Sequence, residues 1–409
     1  MAPDLPLAHD SPGLLARPNT GGTVLLAGGF RPFFLLAGLY AVASIVAWLI
    51  AYAGAWTMPA GWVPMWWHGH ELIFGFAAAA IGGFLLTAVP KWTGTAPVRG
   101  APLGALVLTW AGGRAAMWAA GPLPDGLVAL VDLAFFPALM LAVGRPILRS
   151  GNRRNYGFPV LLLALFAANG LTHAQTLGLA NTGRTGLYMA LYIVVIMVTV
   201  VAGRIVPAFT AGALARQGAG AEVRPSRGLG RAAVVAVVLA GALQVVGVRP
   251  ELRGGAAALA AVLLALRSLG WKPFAVLQDP MVWVLHVGHL WLVIGFAGLA
   301  AADLGTGLAT STATHALTAG AIGTMVLAVM TRASLGHTGR PLEANVPVTI
   351  AYVLVITGAV VRVFGPLSSM ASHGDWVLAG GVAWATGYAL FAVVYAPILL
   401  RPRIDGRPG

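Results

Sequence analysis

Two histidines and a glutamate stand together in Trp66-Trp67-His68-Gly69-His70-Glu71, at the head of a long apolar run. Further histidines recur inside or beside other apolar runs: His173, His286, His289, His315 and His337. A lone histidine in a greasy segment is ordinarily a hydrogen-bonded structural group. So many of them, in a chain with only 9% charged residues, point to ligation of a metal or a haem. Cysteine is absent. That excludes disulfides, iron–sulfur clusters, thiolate-ligated or covalently attached haem and thiolate-bridged copper. Histidine, methionine, carboxylate, tyrosine or backbone must hold any metal.

Spacing narrows the roles. His68 and His70 are two residues apart, so a regular helix points them ~200° apart. They then serve two neighbouring sites, or one supports the other's site; they share one metal only if the helix start is irregular. His286 and His289 are three apart and share a face. In His315-x-x-Thr318-x-Gly320-x-x-Gly323-Thr324, the small residues let another helix or a flat macrocycle come close, helix packing being the plainer reading. Other ionisable groups also lie inside apolar runs, where each is a functional candidate: Glu71, Arg114, Asp132 and Arg204. Arg114 and Asp132 read first as an ion pair between adjacent helices. Glu71 reads equally as the orienting partner of a ligand histidine, a proton acceptor or a partner for Arg114. Trp66 and Trp67 read as interfacial anchors, and Met197, Met325 and Met330 as core filler.

The elements that position these groups follow from composition. Of 409 residues 58% are hydrophobic, and mean hydropathy is +0.84. A soluble chain of this length cannot cover its surface with so few charges. The apolar runs are continuous rather than alternating, which excludes a membrane barrel and predicts an all-α polytopic membrane protein. Twelve spans are expected: 31–54, 66–90, 102–120, 126–145, 156–180, 185–208, 229–247, 254–270, 281–302, 312–332, 346–365 and 376–399. Nineteen of the 25 Lys and Arg fall in alternate loops and three (Arg184, Arg249, Arg253) in the others, while Arg114, Arg204 and Arg362 lie within spans. This asymmetry predicts both termini in the cytoplasm. The net charge of +13 is then explained by topology and anionic lipid headgroups rather than by nucleic acid.

Residues 1–22 lack a basic region ahead of an apolar core and read as a flexible cytoplasmic tail, not a secretory signal. Residues 23–208 form a first six-helix half, 209–228 a basic linker, 229–400 a second half and 401–409 a basic tail. No sequence repeat relates the halves, and no broken central helices are evident. With this topology His68, His70, Glu71, Arg114, Asp132, Asn169, His173 and His315 share the outer half of the membrane. His286 and His289 lie deeper, and His337 lies on the cytoplasmic side.

Several segments resemble one family. They are Arg31-Pro32-Phe33-Phe34, Trp67-His68-Gly69-His70-Glu71 with Phe74-Gly75-Phe76, and the run from Gly83 to Gly94. Gly203-Arg204 with Pro207-Ala208-Phe209-Thr210, Leu285-His286-Val287-Gly288, the stretch from His315 to Met325, Val329-Met330-Thr331-Arg332 and Gly336-His337-Thr338-Gly339-Arg340-Pro341 continue the match. Together they are similar to the NnrS family over nearly the whole chain. The resemblance implies a multi-pass bacterial inner-membrane protein that contains haem and copper and is associated with denitrification and tolerance of nitric oxide. The family's motif histidines fall on His68, His70, His173, His286, His315 and His337; His289 matches the pattern less firmly. Non-covalent haem b and copper are the cofactors expected. The function expected is redox turnover of nitric oxide by a haem–copper oxidoreductase, with a quinol or another carrier as electron donor. A binding or sensing protein without turnover, and a transporter, are the competing readings.

Overall fold

A computed structural model describes residues 23–59, 62–218, 222–368 and 370–407. The expected tail, residues 1–22, lies outside them. The described residues hold no strand. The chain is all-α, and we number its twelve long helices α1 Phe30–Tyr52, α2 Pro64–Thr93, α3 Ala101–Trp118, α4 Asp125–Arg149, α5 Gly157–Thr176, α6 Gly183–Arg216, α7 Arg227–Val246, α8 Pro250–Leu269, α9 Pro280–Asp303, α10 Thr310–His337, α11 Val346–Phe364 and α12 His373–Leu400. Eleven are long and apolar enough to cross a membrane. The exception is α3, an 18-residue helix whose Arg114, Pro102 and three glycines lower its hydropathy. Helix α6 runs to Arg216, into the segment expected to be a linker.

Local sequence sets the helix ends. Asp279 accepts from the Met281 amide ahead of Pro280, Asn345 accepts from Val348, and Ser372 with Asp375 forms a capping box. Gly94 and Gly247 close α2 and α7 in the left-handed region, where a side chain would be strained. After α12 the chain folds back on the end of α10: Arg403 donates to the His337 carbonyl at 2.8 Å and pairs with Asp405. That guanidinium holds the Asp405 carboxyl down at about 2.

Burial separates scaffold from periphery. Helix α2 buries 72% of its most apolar window and α10 67%, whereas α7 buries 28%. Helices α2 and α10, which carry His68, His70, Glu71 and His315, are thus the central ones, and α7 is the least buried of the three. Helices α1, α11 and α12 pack together on one side of the centre, α3, α4 and α5 on another, and α7 and α8 flank α6 and α9.

Both central helices are irregular. Residues Glu71–Ala77 of α2 and Ala316–Ile322 of α10 are wound as π-helix, a wider turn that the continuous apolar sequence does not announce. In lipid every freed backbone group needs a protein partner. Tryptophans from neighbouring helices add donors to these segments. Trp110 donates its indole N–H to the Gly75 carbonyl at 3.1 Å, and Trp384 donates to the Ala319 carbonyl at 3.1 Å.

Candidate functional site

The regular first turns of α2 carry His68 and His70 to different sides of the helix, so the two histidines serve separate sites. His70 joins a buried polar cluster built by five helices. Its Nδ1 faces Glu71 Oε1 at 2.8 Å, and its Nε2 faces Asn169 Oδ1 at 2.9 Å and Asp132 Oδ2 at 3.3 Å. His173 Nε2 meets the same Asp132 oxygen at 2.8 Å, and Asn169 donates to it at 2.7 Å. Asn169 and His173 are four residues apart on α5 and share a face, so one helix supplies both. Arg114 of α3 bridges Glu71 and Asp132. Tyr40 of α1 donates to Glu71, and Trp118 donates to the Tyr40 hydroxyl at 2.7 Å. Trp62 packs its ring edge-on against both His70 and His173.

His70, Glu71 and Asn169 are fully buried, and His173, Asp132 and Arg114 nearly so. Such a group of charges survives in an apolar interior only by mutual compensation. Here two carboxylates face one guanidinium. A further positive charge, either a proton on imidazole or a metal ion, would complete the balance. One ligand atom from each of His70, Asp132 and His173 lies within 4.8 Å of the others, which is close enough for one ion. Glu71 on the Nδ1 of His70 is the partner that fixes ring orientation in many metal sites. The Nδ1 of His173 is buried without a partner.

His68 lines a second, more apolar cavity of about 730 Å³ together with His315 of α10. Trp48, Phe76 and Trp384 form aromatic walls, and Arg362 of α11 supplies the cation. His68 stacks on Trp48 at 4.5 Å between ring centres, and its Nδ1 is buried without a partner. His315 Nδ1 bonds the Ser311 carbonyl at 2.7 Å, which leaves Nε2 as its free ligand atom. Arg362 keeps a buried Nη1 unpartnered. The flanking glycines pack helices: a Cβ at Gly320 would fall 2.4 Å from Trp291, and one at Gly323 2.7 Å from Trp384.

The other candidates lie apart. His286 Nε2 is hydrogen-bonded to Thr210 at 2.9 Å and His289 Nε2 to the Leu264 carbonyl at 3.0 Å, with Trp271 against both rings. Arg204 is bound to Asn155 at 2.6 Å and to the Arg154 carbonyl, on the far part of α6. His337 ends α10 and packs on Phe30. Thus Glu71, Arg114, Asp132, His70 and His173 come together, His68 and His315 form a second pair, and Arg204, His286, His289 and His337 join neither.

Sequence reasoning missed Tyr40, Trp118, Trp62 and Trp48 as parts of these sites. A tyrosine in the middle of an apolar span carried a usable signal, because a buried hydroxyl needs a partner.

Among curated proteins no sequence matches the chain. The profile of the family described as NnrS protein does match, from residue 24 to residue 403. That stretch takes in all twelve helices and both histidine sites, and on it the chain belongs to the NnrS family.

Proposed function

We propose that the protein turns over nitric oxide at two neighbouring centres, a haem held in the His68–His315 cavity and a copper held by His70, Asp132 and His173. Membership of the NnrS family links the chain to nitric oxide. The observation that carries the reading is the pair of histidines two residues apart on α2. Each faces a different site, one roomy and apolar and the other compact and charged.

The residues present fit both groups. The first cavity offers an imidazole from each of two helices and an unpartnered guanidinium suited to a haem carboxylate. The cluster offers two imidazoles and a carboxylate, a donor set that suits copper and also non-haem iron. When bound, the two groups would supply one-electron chemistry and coordination positions for a small diatomic. The chain supplies the rest. Glu71 holds the His70 ring in place through Nδ1, and Arg114 bridges Glu71 and Asp132 beside it. Reduction of nitric oxide consumes protons, and the line Tyr40–Glu71–His70 leads from a half-buried hydroxyl to the buried cluster. The mostly apolar lining of the His68–His315 cavity suits an apolar gas. Electrons would come from a membrane quinol or another carrier.

The test is metal and haem analysis of the purified full-length protein, followed by nitric oxide consumption with a quinol donor. His68→Ala and His315→Ala should lower haem content and leave the second metal in place. His173→Ala and Asp132→Asn should do the reverse. Retention of both groups in all four variants rejects the sites. Stoichiometric nitric oxide binding without consumption rejects turnover and leaves a binding protein.

A further inference from the structure

A cavity of about 960 Å³ lies at the opposite ends of α2 and α10 from the histidine sites. Lys91 is 23 residues beyond His68 on α2, which places it roughly 35 Å away along the helix axis. Four rings, Phe34, Phe84, Trp92 and Phe209, line the cavity, and its charged groups are Lys91 and Arg332. No lining residue is acidic.

Arg332 is the unusual member. Its residue is only 7% exposed, its guanidinium lies 3.9 Å over the Phe209 ring, and its Nη1 is buried without a partner. Two acids near this end are already engaged, and Glu343, which follows the lining Leu342, is exposed. Asp279 pairs with Arg216 at 3.1 Å and caps α9, and Asp405 pairs with Arg403. A largely buried guanidinium whose Nη1 has no partner, and whose neighbouring Asp279 is already paired with Arg216, is under-compensated, and its planar fork matches a phosphate. Lys91 sits at the rim with its ammonium exposed, as expected of a lysine at the lipid–water boundary. An anion alone would satisfy the two cations. It would leave the aromatic lining without an apolar occupant.

We infer that this cavity binds one anionic phospholipid, its phosphate on Arg332 and Lys91 and its acyl chain between the four rings. The site is separate from the nitric oxide chemistry proposed above and does not depend on it.

The experiment uses the full chain in nanodiscs and detergent. Wild type should melt several degrees higher in phosphatidylglycerol than in phosphatidylcholine, and native mass spectrometry should find one phosphatidylglycerol retained. Arg332→Gln should abolish the difference and reduce retention at least tenfold. Lys91→Gln, at an exposed position, should weaken retention and serves if the first variant does not fold. Gly336→Leu fills the cavity without touching its charges, since a Cβ there meets only Leu342 at 3.6 Å, and it should also expel the lipid. Equal melting in the two lipids, or undiminished retention in Arg332→Gln, overturns the inference. Stabilisation by inorganic phosphate alone to the same extent overturns the lipid and leaves a small-anion site.

Discussion

Arg114 does two jobs with one guanidinium, and that makes its loss unequal to the loss of either partner. Asp132→Asn leaves Arg114 bound to Glu71, so a pair survives. Arg114→Met strands two buried carboxylates at once. Removing one partner of a buried pair costs about 3–5 kcal/mol. The expected outcome is that Arg114→Met loses at least that much, well beyond Asp132→Asn, in thermal unfolding of metal-free protein in detergent. Equal losses would mean that the carboxylates are not ionised together. At this scale the sequence was informative about members and poor about partners. Intramembrane Glu71, Arg114, Asp132, His70 and His173 stand out because charge in an apolar run is costly. That Asn169 bridges His70 and Asp132, or that Tyr40 reaches Glu71 from α1, depends on contacts between helices that no local pattern encodes.

The two π-helical segments set the aim of the side chains around both sites. Glu71 begins one of them, and His315 immediately precedes the other. Each segment depends on a tryptophan N–H from another helix, Trp110 for α2 and Trp384 for α10. Replacing either by phenylalanine keeps an aromatic side chain and removes one buried hydrogen bond, a cost of about 0.5–1.5 kcal/mol; the Gly75 carbonyl keeps the Ala78 amide as a donor. Trp384→Phe should also disturb the His68–His315 cavity, which Trp384 lines, whereas Trp110→Phe should leave it intact. Melting temperature together with haem retention separates the two effects; identical haem retention in both variants would show that α10's wide turn does not shape the cavity. Hydropathy located both helices to within a few residues, because an apolar run of about 20 residues has one stable fate in a bilayer. It was blind to the wide turns, since inserting one residue into a continuous apolar run changes neither its length nor its composition enough to register.

Whether the chain crosses the membrane eleven or twelve times turns on α3, the one long helix that falls short in hydropathy. An odd number would put the two ends on opposite sides. In the structure they meet: Arg31, at the start of α1, donates to the Leu399 and Arg401 carbonyls at the end of α12, each at 2.8 Å. The ends of the bundle therefore share a side, the count is even, and α3 crosses. Its hydropathy is low because Arg114 is there for the cluster, not for the lipid. The distribution of Lys and Arg then says which side is shared. Basic loops alternate along the chain, and the loop between α5 and α6 belongs to the poor set, with Arg184 alone. The positive-inside rule predicts that the Arg31–Arg401 end faces the cytoplasm. An alkaline phosphatase fused after Arg401 should be inactive and one fused after Gly178 active, with a fluorescent reporter giving the opposite pattern. Inverted activities would place the histidine sites toward the cytoplasm and the Arg332 cavity outside. Paired fusions after Arg99 and after Gly121 flank α3, and like activities at those two positions would reject it as a crossing helix.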